Sequence, residues 1–398
     1  VAGAGGVAAL GAAALLAARA VGGMAAYEAE VAALRRPLPS PPALLDLIRH
    51  ATLAANGHNA QPWQFRLREG GIDILPDLTR RTPNVDPDDH HLFVSLGCAA
   101  ENFAPAAGAA GGVVTFRFGD APRATPELFA AIARRQSTRA DYDGRPVSVP
   151  ALEALASAAA IPGLRLVLLT DRPQIERIRD LVVAGHTAQM TDPDVMRELT
   201  GWLRFNPAAA MARTDRLLSG ASGRPAVPSW LGPMLFHGFT SAASENDAYA
   251  RQIRSSAGIA VFLAEHADRE HWVRVGCARQ RFALQAAALG VKHGYINQPV
   301  EVAALRPALA ELVGLPGQRP DLVLRFGHGP TLPFALRPSP FALRPSPCGD
   351  RRPALSWHGQ SPRAKARWRL HIAAARNAPP SASSTSRRGQ TIPSPAPR

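Results

Sequence analysis

An α+β fold is expected for this 398-residue chain, with long helices packed on short antiparallel and mixed strands. Three observations point to it. Apolar residues recur at helical spacing in several stretches, for example Val275, Ala278, Phe282, Ala286 and Leu289. Short alternating runs bounded by turn residues read as strands, and Gln64–Leu67 and Ile72–Leu75 meet at Gly70-Gly71 as a hairpin. No Gly-x-Gly-x-x-Gly opens a strand–helix–strand unit, so a doubly wound nicotinamide-binding sheet is not expected.

Composition narrows the classes further. An apolar fraction of 46% is ample for real cores. The net charge of +14 would suggest a nucleic-acid partner, but it is unevenly placed. After Arg337 lie eleven Lys and Arg and one acid, Asp350, which leaves only +4 to the first 337 residues. A near-neutral body with a basic tail is not a nucleic-acid-binding fold, and the tail has no interleaved stacking aromatics. Cys98, Cys277 and Cys348 give no disulfide framework and no metal spacing; Cys98 and Cys277 read as small buried residues. His90-His91 sits beside Asp86, Asp88 and Asp89, again without ligand spacing, so no metal is assigned.

Taken in order, residues 1–36 read as an Ala/Gly-rich leader and linker. The Ala18-Arg19-Ala20 end fits an export signal whose basic front is missing. A short membrane anchor and a leader without structure are the alternatives. A charged, Pro-rich connection is expected from Glu28 to Pro42, then a helix from about Pro42 to Ala55 with Leu44, Leu45, Leu47 and Ile48. Next come the hairpin, a long helix over Leu92–Ala110 and a strand over Val113–Phe118. A helix over Val149–Ala160 runs through Ile161-Pro162-Gly163 into a strand at Leu164–Leu169. One helix is expected over Asp171–Gly201. The stretch 202–246 has no clear period and reads as a mobile lid, or as a surface excursion with no gating role. A strand at Gly258–Leu263, a long helix over Trp272–Leu289 and a closing strand at Leu322–Gly327 follow. Residues 338–398 are basic and rich in Pro and Ser, and are expected to be disordered.

Three stretches carry candidate chemistry. The turn Asn56-Gly57-His58-Asn59-Ala60-Gln61-Pro62-Trp63 joins a helix to a strand, where amide side chains and free N–H groups can meet a ligand. Arg135-Gln136-Ser137-Thr138-Arg139 places two guanidiniums and a hydroxyl at alternate positions, a set that can converge on a phosphate. Leu289-Gly290-Val291-Lys292-His293-Gly294-Tyr295-Ile296-Asn297-Gln298-Pro299 leads from the long helix into a strand. No Gly-x-Ser-x-Gly, phosphate-binding Gly-rich loop or His-Glu-x-x-His is present to supply a nucleophile or a catalytic metal.

Together these stretches resemble the FMN-dependent nitroreductases, and more closely their long single-chain "twin" form of the Acg type, over roughly residues 40–337. That family pairs two subunits. One brings Arg-x-Ser-x-Arg and the other brings Asn-x-Gln-Pro-Trp to a shared flavin. Here residues 37–130 hold the turn and residues 131–337 hold the arginines, so the resemblance implies a pseudo-dimer with one complete FMN site. It assigns the phosphate to Arg135, Ser137, Arg139 and Arg337. It assigns the ring to Asn56, Gly57, Asn59, Gln61 and the Ile296, Asn297 and Gln298 backbone. It further implies NAD(P)H as donor and a quinone, nitroaromatic or related small molecule as acceptor. A protein that holds FMN without turning it over is the alternative. Export by a twin-arginine type of route is favoured over a cytoplasmic place, with membrane contact only through the leader. The chain is expected to be a monomer with an internal pseudo-dimer, or a homodimer.

Overall fold

The computed structural model describes residues 20–39, 42–68, 71–103, 114–118, 126–213, 215–222, 224–331 and 368–371. The first half runs α1 (Met24–Leu34), α2 (Leu44–Ala51), β1 (Trp63–Arg68), β2 (Gly71–Pro76), α3 (His90–Phe103), β3 (Val114–Phe118) and α4 (Pro126–Arg134). Strands β1 and β2 form the expected hairpin, Trp63 opposite Pro76 and Arg68 opposite Gly71. Strand β3 adds antiparallel to β2. The buried face of the hairpin comes from Trp63, Ile72 and Ile74, which pack on Ile48 of α2 and Leu96 of α3.

The second half runs α5 (Val149–Ala158), β4 (Leu164–Leu169), α6 (Arg172–Thr191), α7 (Pro193–Gly201), β5 (Leu203–Arg204), α8 (Pro207–Arg213), β6 (Leu217–Leu218), α9 (Gly232–Phe239), α10 (Ala242–Arg254), β7 (Gly258–Ala264), α11 (Arg269–Ala288), β8 (Lys292–Tyr295), α12 (Gln298–Glu301), α13 (Arg306–Leu312) and β9 (Pro320–Gly327). Its sheet has the order β4-β7-β9-β8, with every neighbouring pair antiparallel. Every residue of β7 and of β9 is buried, as a strand covered on both faces must be. Strand β10 (Trp368–His371) pairs with β3 and closes the first sheet as β1-β2-β3-β10.

The two halves meet along α3 and α11. Gly97 faces the Val273 carbonyl so closely that a Cβ there would lie 1.9 Å from its oxygen; at Gly276 a Cβ would lie 2.0 Å from the Val94 oxygen. The Cys98 thiol donates to the Gly276 carbonyl at 3.3 Å, and the Cys277 thiol donates to the Gly97 carbonyl at 3.4 Å. The contact is therefore reciprocal, as across an approximate two-fold axis. The sequence repeats accordingly: Gly97-Cys98-Ala99 with Phe103, and Gly276-Cys277-Ala278 with Phe282. This is a duplicated α+β fold with a lid inserted in its second half.

Several expectations need correction. The segment assigned to leader and linker folds in part: α1 buries Tyr27, Val31 and Leu34, spaced for one helical face, and Tyr27 and Val31 pack with Ala210 and Leu218. The helix expected over Asp171–Gly201 is two helices. Pro193 offers no N–H, and the Asp192 carboxylate accepts from the N–H groups of Asp194 and Val195, capping a new start. Helix α3 starts earlier than expected because the Asp86 carboxylate accepts from the N–H groups of His91 and Leu92. Its expected end at Ala110 lies outside the described residues, as does Arg337. The aperiodic 202–246 stretch is built of short elements, two of them strands of two residues. Within the tail, Trp368–His371 form strand β10; the rest lies outside the described residues. No helix among the described residues is long and apolar enough to cross a membrane.

The helix contact gives a first prediction. Gly97→Ala should lower the unfolding free energy by about 3 kcal/mol or more, the upper end for overpacking, and Gly276→Ala should do the same. Gly201→Ala is the control, since nothing lies within 4 Å of its added Cβ. Urea unfolding that ranks all three alike would contradict the contact.

Candidate active site

One cavity of about 640 Å³ lies where the halves and the lid meet, a size usual for a cofactor or small-ligand pocket. Its walls include Asn56, Gly57 and Asn59 from the first half, and Arg135, Ser137, Arg139, Asn297 and Gln298 from the second. Eight of the eleven residues singled out from the sequence therefore converge. Gln61 stands behind the wall: its N–H donates to the Asn56 side-chain oxygen at 2.8 Å, and its amide donates to Asn59. Ile296 is a correction. It is fully buried in the apolar core of the second half, and its N–H donates to the Val323 carbonyl, so that amide is committed to the fold.

The turn that opens the first half is held in a costly conformation. His58, Asn59 and Gln61 all have positive φ, at 49°, 50° and 54°, where side chains other than glycine are disfavoured. Asn59 and the lid hold each other. The Asn59 amide donates to the Arg216 carbonyl at 2.9 Å, and the Arg216 N–H donates back to the Asn59 carbonyl at 3.0 Å. Asn59 therefore acts as a latch for the lid, a role its sequence motif did not suggest. Nearby, Asp215 pairs with Arg204 at 2.6 Å and Arg80 at 3.5 Å, and the Asn84 N–H donates to Glu198 at 2.9 Å. The lid places Leu203, Leu217, Leu218 and Phe236 over the cavity.

The arginine turn is fixed from behind. The Thr138 N–H donates to the His293 carbonyl at 2.8 Å, and Ser137 bridges His293 in parallel, which ties this turn to β8. Arg325 of β9 donates to the carbonyls of Thr138 at 3.0 Å, Ala140 at 2.7 Å and Gln252 at 3.0 Å, and it stacks on the Tyr142 ring at 4.0 Å. Sequence reading passed over Arg325 because it sits in an apolar strand pattern. Its charge is spent on carbonyls rather than on a ligand.

Two guanidiniums at the cavity are only partly engaged. Arg135, 4% exposed, donates one N–H to the Leu53 carbonyl at 2.8 Å. Its Nε and Nη1 have no partner among the described residues. Arg35, just after α1, uses Nη1 to hold the carbonyls of Ala133 and Arg135, both at 2.8 Å, while its Nε and Nη2 have no partner among the described residues. Burial lowers Arg35 to about 10. Burial, then the charges of Arg279 and Arg35, lower Arg135 to about 9. Buried cations drawn together without an anion are unfavourable. A phosphate-like group would relieve them.

Behind His91, which lines the cavity, Asp86, His90 and His91 bring ligand-capable atoms within 4.8 Å of one another. Asp86 is occupied as the α3 cap, and His90 Nε2 lies 2.9 Å from Asp321. Burial, then Arg139, then His91 lower His58 to about 4. It is neutral at pH 7 and can serve as a hydrogen-bonding group, not a charge.

Two outcomes follow. Because the folded value of His58 lies below the ordinary 6.5, its contribution to stability is present above about pH 6.5 and is lost as pH falls through 4. His58→Gln should therefore flatten the acid limb of the stability profile between those values; an unchanged slope in chemical unfolding would count against it. Asn59→Ala removes one of the two latch bonds. It should raise the rate of proteolysis within residues 202–246 about fivefold, as a loss of ~1 kcal/mol would; an unchanged rate would dismiss the latch.

No family model matches the chain. Two curated proteins of Mycobacterium tuberculosis, from strains CDC 1551 and H37Rv, carry the provisional name NAD(P)H nitroreductase. Each is 28% identical over 320 residues, covering 75% of this chain and 89% of its own length. Among solved structures, an FMN-dependent nitroreductase of Mycobacterium smegmatis in complex with NADPH aligns at 13% identity over 51% of this chain and 87% of its own, with a TM-score of 0.36. A Bacteroides fragilis nitroreductase with bound FMN aligns at 16% identity over 52% and 90%, with a TM-score of 0.33. Over three quarters of its length the chain is thus similar to proteins named as nitroreductases, and its one polypeptide carries both halves of a duplicated fold.

Proposed function

We propose that the cavity binds FMN and that the chain is an NAD(P)H-dependent oxidoreductase of a small-molecule acceptor. One observation carries the reading: the partly unpaired, buried Arg135 opens on the same cavity as the amide-rich turn of the other half. The residues fit the group. Arg135, Ser137 and Arg139 line one region and offer charge and a hydroxyl to a phosphate monoester. Gly57, Asn297 and Gln298 offer amide and backbone groups to the polar edge of a flat ring, while the Asn56 side chain, bonded to the Gln61 N–H and the Ala54 carbonyl, braces the turn that frames it. When bound, FMN accepts a hydride from a nicotinamide and passes two electrons to an acceptor.

The chain's own part is to bind, orient and exclude water. Leu203, Leu217, Leu218 and Phe236 give the lid side an apolar face, which suits a planar acceptor such as a quinone or nitroaromatic. One complete set of groups per chain removes the need for a second chain at the site, so a monomer suffices. The latched lid supports a second reading, in which the protein shields FMN without turnover.

The test is an absorbance spectrum of the full chain reconstituted with FMN, followed by anaerobic NADPH. A flavin band near one equivalent per chain, bleached by NADPH, is expected. Two equivalents would overturn the single composite site. A colour that persists under NADPH would favour shielding, and failure to take up FMN would sink both readings.

A further inference from the structure

We propose that Arg35 is a further anion-binding residue of the cavity, delivered from outside the Arg-x-Ser-x-Arg turn by the N-terminal helix. The inference rests on the reading of the cavity as a site for a phosphate-bearing cofactor.

Position comes first. The chain leaves α1 at Leu34 and is caught at once by Arg49 of α2, whose Nη1 donates to the carbonyls of Leu34 at 2.7 Å and Arg36 at 2.8 Å. The carbonyls on either side of Arg35 are thereby fixed, and its side chain is directed across to the end of α4. There Nη1 bridges the carbonyls of Ala133 and Arg135, which are two residues apart. These carbonyls belong to the last turn of α4 and its exit, where the chain has no further helical donors. A cation at that end is also favoured by the helix dipole.

That bridge uses one nitrogen of the fork. Nε and Nη2 have no partner among the described residues, and Arg35 is a wall residue of the cavity together with Arg135. Two guanidiniums whose charges oppose each other have been brought to one wall, with one gripping the carbonyl of the other. Bracing a carbonyl would not by itself require a second charge there; a neutral amide would serve. An anion with several oxygens would draw on both forks at once.

The placement also gives α1 a purpose. Tyr27 and Val31 of this helix, which Arg35 follows directly, pack with Ala210 and Leu218 of the lid. The same short helix therefore touches the lid and supplies a group to the anion end of the cavity. Residues before Pro37 belong to the site.

The test compares FMN with riboflavin, which lacks the phosphate, by fluorescence titration of the full chain and its Arg35→Gln variant. A loss of FMN affinity of about tenfold or more is expected, in keeping with a charge-assisted hydrogen bond, with riboflavin changed by less than about twofold. Equal weakening of both ligands, or no weakening of FMN, would overturn the inference and reduce Arg35 to a brace. Arg35→Lys keeps the charge and covers the case in which glutamine does not fold; it should show the same FMN-selective loss, smaller in size. Inorganic phosphate supplies a readout independent of flavin. It should raise the melting temperature of the parent chain and raise that of Arg35→Gln less. If the parent chain takes up no flavin but keeps this difference, the flavin reading fails and Arg35 stands as an anion residue. If phosphate stabilises both chains equally, Arg35 falls even if FMN binds.

Discussion

The close crossing of α3 and α11 is the constraint on which the rest depends. Two helices can approach to the point where a carbonyl of one occupies the place of a Cβ on the other only if glycine stands at both crossing positions. Gly97 and Gly276 meet that demand, and the thiols beside them satisfy each other's glycine carbonyls. Each carbonyl lies inside its own helix, so the thiol is a second donor that uses the remaining lone pair across the contact. The reciprocity fixes the angle between the halves. It thereby sets how far the turn at Asn56–Gln61 stands from the turn at Arg135–Arg139. A cavity made from two halves is only as well defined as that angle.

Within this frame the cavity concentrates unfavourable groups. Three non-glycine residues with positive φ lie in the Asn56–Gln61 turn. Arg35 and Arg135 stand together at the other end, both lowered by burial, and a neutral His58 lies on the wall within reach of the Arg139 charge. Strain and like charges persist only where surrounding structure over-determines them. Arg325 and Tyr142 do this for the arginine turn, and Asn56 with Gln61 do it for the amide turn. The clustering of such costs around one cavity distinguishes it from a packing defect.

Much of this was legible in the residues. The strand Leu164–Leu169 was read to the residue because Pro162-Gly163 before it and Asp171 after it are strong punctuation. The two polar turns were legible because their composition makes poor helix or strand. What escaped has physical reasons. In α1 the residues Tyr27, Val31 and Leu34 lie among alanines, so the buried stripe contrasts weakly with the rest of the helix. The lid gave no period because its strands are two residues long, below the length at which alternation can register. Arg325 was hidden by its strand, since a sequence cannot show that an inward arginine will find three carbonyls. Ile296 was misplaced because strand geometry turns it inward: Tyr295 and Asn297 on either side line the wall, while the Ile296 amide closes a bond to Val323.

Joining two halves in one chain also changes what each half must keep. In a symmetric pair, every residue at the site is constrained twice, because a single gene position serves both copies. Here the positions are independent. Gly-Cys-Ala is retained in both crossing helices because the contact uses both sides at once. Asn-Gly-His-Asn and Arg-Gln-Ser-Thr-Arg each occur in only one half, and the two meet at one cavity. The position opposite the turn, Ile161-Pro162-Gly163, is free to become a plain entry to β4. The long stretch between β4 and β7 includes the residues that cover this cavity. Asymmetry is thus concentrated at the cavity, and symmetry persists where the packing itself is two-sided.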